Sequence, residues 1–111
     1  MRYRSVFRPG LFAGQVVIVT GGGSGIGRCT AHEVSALGAK VALIGRKLDK
    51  LEAVQAEIAA AGGEAAGFVC DIREEALVKD TVAAILKHFG RIDHLVNNAG
   101  RSIRRSVVTS T

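Results

Sequence analysis

This sequence has no long apolar run: nothing in it approaches the roughly 18 residues that a membrane-spanning helix requires. Cysteine is scarce. Cys29 and Cys70 are the only two, and they lie far apart, so no C-x-x-C pair exists. Two free, buried thiols in a reducing, cytoplasmic setting are the expectation. His32, His88 and His94 are scattered without ligand spacing, so they read as solvated or packing residues, and no metal site is expected. Aromatics are also few, one Tyr and four Phe, which leaves little to stack on nucleobases. The net charge is +5, but its placement does not suit a nucleic-acid face. Arg2, Arg4, Arg8, Arg101, Arg104 and Arg105 sit in the two end segments, and residues 11–100 carry a slight acidic excess. The basic start M-R-Y-R-S-V-F-R-P-G contains no apolar core of the kind a secretory signal needs.

What is present centres on V-V-I-V-T-G-G-G-S-G-I-G, residues 16–27. Its first four residues are β-branched and apolar, the composition of a buried strand. Glycines then follow at 21, 22, 23, 25 and 27, and an apolar-periodic segment begins at Ile26. Strand, glycine turn and helix in this order let a backbone approach a pyrophosphate, with the helix amides aimed at the anion. A glycine-rich turn alone is a weak signal, since ordinary tight turns use glycine too; the strand before it and the helix after it give it weight.

The rest of the chain repeats the alternation. Residues 1–14, punctuated by Pro9-Gly10 and Gly14, read as an irregular arm. Strands are expected over 15–20, 40–44, 65–70 and 94–97, and helices over 25–37, 48–61 and 74–89. The inward faces are Ile26, Thr30, Val34 and Leu37 for the first helix and Leu48, Leu51, Val54 and Ile58 for the second. For the third they are Val78, Val82, Ile85, Leu86 and Phe89. Such alternation predicts an α/β fold, a doubly wound parallel sheet of strand order 3-2-1-4. With four strands it is the N-terminal half only of such a sheet. The ligand crevice falls between strands one and four.

Three motifs carry a family resemblance. Thr20-Gly21-x-x-x-Gly25-Ile26-Gly27, Asp71 after strand three, and Asn97-Asn98-Ala99-Gly100 after strand four resemble the motifs of the short-chain dehydrogenase/reductase family, a Rossmann fold. Residues 15–100 would then be the NAD(P)-binding half-domain, between the arm and a basic, Ser/Thr-rich tail, 101–111. Within the family the arm is most similar to bacterial members of the citronellol/citronellal dehydrogenase and trans-2-enoyl-CoA reductase types.

The resemblance implies roles for particular residues, each with a plainer alternative. Thr20, Gly21, Gly23, Ser24, Gly25, Ile26 and Gly27 would surround the pyrophosphate. Ser24 would add a hydroxyl, cap the helix, or do both. Asp71, with Ile72 beside it, would accept from the adenine amino group, or Asp71 would help to start the third helix. Asn98 and Ala99 would line the ribose, Gly100 would admit the cofactor closely, and Asn97 would brace the sheet. At the end of strand two an NAD site usually places a carboxylate; Gly45-Arg46-Lys47 stands here instead. Arg46 and Lys47 suit a 2′-phosphate, so NADP(H) is expected over NAD(H); the alternative is a pair of solvated loop charges.

The family's catalytic Tyr-x-x-x-Lys is absent. Tyr3 is the only tyrosine. Ser102, Ser106 and Ser110 have no such partner, and no catalytic residue is assigned. Residues 101–111 depart in composition from everything before them; a change of reading frame just after Gly100 and a natural loop cut short both fit. The expectation is the cofactor-binding portion of an oxidoreductase, truncated and inactive alone. A non-catalytic nucleotide-binding module and half of a split enzyme are the alternatives. No membrane span or nucleic-acid partner is expected, and an exposed sheet edge would allow self-association.

Overall fold

Val16, Val17, Ile18 and Val19 are all buried, because the strand they form is covered on both faces and paired on both sides. A continuous apolar run, rather than an alternating one, is what such a strand requires. The computed structural model describes residues 10–21, 23, 25–71 and 74–97. Its elements are β1 (Val16–Thr20), α1 (Gly25–Ala36), β2 (Lys40–Gly45), α2 (Leu48–Ala60), β3 (Glu64–Val69), α3 (Glu75–Phe89) and β4 (His94–Asn97). The four strands are parallel in the order β3-β2-β1-β4. This is the expected doubly wound, Rossmann-like sheet, with element ends within a residue or so of those read from the sequence. None of the described helices is long and apolar enough to cross a membrane.

The sheet separates two apolar layers. On one face Val17, Val19, Val41 and Leu43 pack with Ala31 and Val34 of α1 and Leu51, Val54 and Ile58 of α2. On the other, Ile18, Ala42 and Ile44 meet Cys70 and Ile85, with Val78, Phe89 and Leu95 partly buried around them. Among the described residues two helices therefore cover one face and a single helix the other. Leu51 is wholly buried because α2 lies very close to the sheet: a Cβ on Gly67 would come within 2.9 Å of Leu51 Cβ. Only a residue without a side chain fits under it.

Several inward assignments do not hold. Ile26 is 75% exposed and Leu48 51% exposed. Both sit in the first turn of their helices, at the carboxyl edge, where little of the sheet lies beneath them. Val82 and Leu86 are exposed as well. The buried line of α3 runs through Val78, Ile85 and Phe89, and helical geometry rotates Val82 and Leu86 off it to one side. Cys29 is exposed and only Cys70 is buried, both unpaired. Part of the expected arm is attached: Phe12 N–H donates to the Leu37 carbonyl at 2.9 Å, and the ring packs against the α1/α2 layer.

The entry to β4 is latched to the start of β1. Val16 N–H donates to Asp93 Oδ2 at 2.8 Å, and Asp93 N–H donates back to the Val16 carbonyl at 2.9 Å. The Arg91 guanidinium closes on the same carboxylate, at 2.9 and 2.7 Å. Arg91 first and the Val16 amide second hold the Asp93 carboxyl below its ordinary value. A depressed carboxyl stabilises the fold fully above the unfolded-state value and loses that contribution as pH falls through the folded one. Asp93→Ala therefore lowers the urea midpoint at pH 7. The gap from wild type narrows as the pH is taken below the ordinary carboxylate range, which parallel urea titrations check.

Candidate functional site

Parallel strands bring their carboxyl ends to one edge. The register sets Thr20 beside Ile44 and Asn97, and Gly45 beside Val69. The connections run outward from β1 to β2 and β3, and β4 lies on β1's other side. The reversal between β1 and β4 is where an open parallel sheet forms its crevice.

The glycine turn opens at that crevice. Gly21 and Gly25 take φ of +66° and +58°, left-handed conformations that side chains disfavour. A Cβ built on Gly25 would meet nothing within 4 Å, so this stretch of backbone borders open space. Gly23 is tighter: a Cβ there would lie 3.0 Å from Lys50 Cβ. The Gly21 amide is already engaged, donating to the Ile44 carbonyl at 2.8 Å. Gly21 thus shapes the turn, while the N–H groups in the first turn of α1 (Gly25, Ile26, Gly27) have no intrahelical acceptor. That first turn carries no acidic side chain. Bare backbone, a helix dipole and an absence of local negative charge suit a pyrophosphate.

The other named residues fall along the same edge. Arg46 and Lys47 follow β2 directly and are exposed, with Lys47 at the N-cap position of α2. Asp71 follows β3, half-buried, and its carbonyl accepts from Glu74 N–H at 3.0 Å. Glu74 takes the N-cap position of α3 and makes no side-chain cap bond. Ser24, Ile72, Asn98, Ala99 and Gly100 lie outside the described residues. Thr20 is buried, and its hydroxyl donates to Asn97 Oδ1 at 2.9 Å, with the Val96 carbonyl at 3.4 Å. This hydroxyl ties the ends of β1 and β4 together.

The histidines hold packing and bonding positions. His94 Nε2 lies 2.8 Å from Gln15 Oε1, and its ring tilts over Phe12. His88 stands edge-on to Phe68 and Phe89. Among the described residues no His, Cys, Asp or Glu cluster could hold a metal ion. His32 joins Arg28 on the Glu57 carboxylate, a contact between α1 and α2 that the sequence did not announce. The only trace of it is that Arg28 and His32 share a face one turn apart.

The short chain dehydrogenase family matches residues 15–110. The chain belongs to this family. A citronellol catabolism dehydrogenase from Pseudomonas aeruginosa PAO1 is 62% identical, with a TM-score of 0.86 over 95% of this chain and 44% of that one. A metagenomic short-chain oxidoreductase solved in complex with NADP is 40% identical, TM-score 0.78, over 90% of this chain and 45% of that one. A fatty acyl-CoA reductase from Acinetobacter baylyi is 39% identical over 96% of this chain and 36% of its own length. This short-chain dehydrogenase sequence therefore spans between about a third and just under half of the relatives it matches.

Thr20→Val keeps the shape of the short-chain dehydrogenase glycine motif and deletes its tie to Asn97. The loss of stability is about 1 kcal/mol, measured by urea denaturation at pH 7.

Proposed function

We propose that residues 15–100 form the cofactor-binding portion of an oxidoreductase that moves a hydride between NADP(H) and an alcohol, carbonyl or enoyl substrate. One observation carries the reading: the left-handed glycine turn delivers the start of α1 to the carboxyl edge beside β4. The α1 amides from Gly25 to Gly27, with Gly23 and Ser24, hold the pyrophosphate. Asp71 and Ile72 border the adenine. Asn98 and Ala99 line the ribose, and Gly100 admits the cofactor closely; Asn97, tied to Thr20, braces the sheet. The nicotinamide, when bound, gives or takes the hydride. The chain's own residues bind and orient that carrier.

Arg46 and Lys47 select the phosphorylated cofactor in this proposal. They are exposed at the end of β2, with no carboxylate among residues 45–47. A guanidinium there meets a 2′-phosphate in two parallel hydrogen bonds, whereas a ribose hydroxyl gains little from it. NADPH binds at least ten-fold more tightly than NADH in a fluorescence titration, and Arg46→Asp removes that difference. Equal affinities in the wild type contradict the assignment.

The 111 residues contain no Tyr-x-x-x-Lys, so no group among them is assigned to exchange a proton with a substrate oxygen. Assayed alone, the polypeptide binds NADPH without turning over alcohols or carbonyls. Turnover on adding a separate C-terminal fragment would favour a split enzyme instead. β4 pairs only with β1 among the described residues, which leaves an outer edge for association between chains. The two unpaired thiols are consistent with a reducing, cytoplasmic setting.

A further inference from the structure

Arg28 and His32 stand one turn apart on α1, and both reach Glu57 on α2. Arg28 Nε lies 2.9 Å from Glu57 Oε1, and its Nη2 lies 2.6 Å from Oε2. This is the two-pronged fit of a guanidinium on a carboxylate. His32 Nε2 completes the knot at 2.9 Å from Oε1. Arg28 first, then His32, push the Glu57 carboxyl down to about 2, so it carries its charge throughout the neutral range. The two helices rest mainly on the sheet and touch one another lightly, and the knot joins them directly.

The helices bring different groups to the crevice. α1 starts at the glycine turn and presents amides; α2 starts immediately after Arg46 and Lys47. The separation of the two starts sets the distance between an anchor for a pyrophosphate and an anchor for a 2′-phosphate. Arg28 and Glu57 side chains are 51% and 36% exposed, and a pair so wet contributes little to folding. Geometry is another matter, since binding groups must be held to about 0.5 Å for full effect.

We infer that Glu57 is a positioning residue: through Arg28 and His32 it fixes α1 against α2 and sets the span that a phosphorylated dinucleotide must bridge. This inference rests on the NADP(H) reading above. It implies that ligands needing both anchors feel the knot, and that ligands needing one do not.

The test uses the full 111-residue chain and two probes. NADPH must reach both anchors, whereas adenosine 2′-phosphate, which has no pyrophosphate, needs Arg46 and Lys47 and the adenine border but not the α1 amides. Calorimetric titration should show Glu57→Ala weakening NADPH about five-fold and leaving adenosine 2′-phosphate unchanged. Arg28→Ala should give the same loss, and the double variant no more, because the two act through one contact. Glu57→Gln, which keeps an acceptor but not the charge, should fall between. Unchanged NADPH affinity in Glu57→Ala overturns the inference. So does an equal loss for both probes with a lowered unfolding midpoint, the mark of a merely structural pair. If the wild type binds neither probe, the NADP(H) reading fails and the inference with it, an outcome distinct from wild-type binding that the variants leave intact.

Discussion

At the start of an α-helix the first N–H groups point out of its N-terminal end, with no carbonyl of their own helix to meet. In α1 these groups are Gly25, Ile26 and Gly27, delivered to the carboxyl edge of a parallel sheet by a turn whose glycines adopt left-handed backbone. A side chain at Gly25 would strain the backbone and obstruct the open ground in front of the amides. The proposed phosphate site is thus a property of main chain. Its side chains serve mainly by being absent, which is why glycine dominates the motif and acidic residues are missing from the first turn.

Main chain can act this way only if it is held still. β1 supplies the rigidity, buried on both faces and paired with β2 and β4. Its two ends are fastened separately. Asp93 latches the amino end to the approach of β4, and the Thr20 hydroxyl fastens the carboxyl end to Asn97. The α1/α2 layer adds depth on one face, where Leu51 seats over Gly67. Among the described residues the other face depends on α3 alone, whose buried stripe is narrow, and Leu77 and Leu86 stay exposed.

Much of this was legible in the amino-acid order. Runs such as V-V-I-V and V-A-L-I announce buried parallel strands, and glycines 38, 62 and 90 mark helix ends, so the alternation and the strand order followed. The edges of that reading blurred where pattern and position part company. Ile26 and Leu48 keep helical spacing but lie at the carboxyl rim, and spacing alone does not say where a sheet stops. Val82 and Leu86 look inward on a helix wheel, yet one helix over a sheet buries a narrower stripe than the wheel suggests. Cys29 follows the glycine motif on a face that points to solvent. Thr20 illustrates a different gap: its motif was plain, while its bond to Asn97 joins residues 77 apart and leaves no local signature. The Arg28–Glu57–His32 knot was hidden for the same reason.

An amide-resolved titration of the uniformly 15N-labelled chain with NADPH addresses the central claim most directly. The account predicts that the largest shifts fall on the glycine turn and the first turn of α1, residues 21–28, with a second group at Arg46 and Lys47. Shifts concentrated instead on the far side of the sheet, in the groove between Phe68 of β3 and Leu77 and Thr81 of α3, with residues 21–28 unmoved, would contradict it.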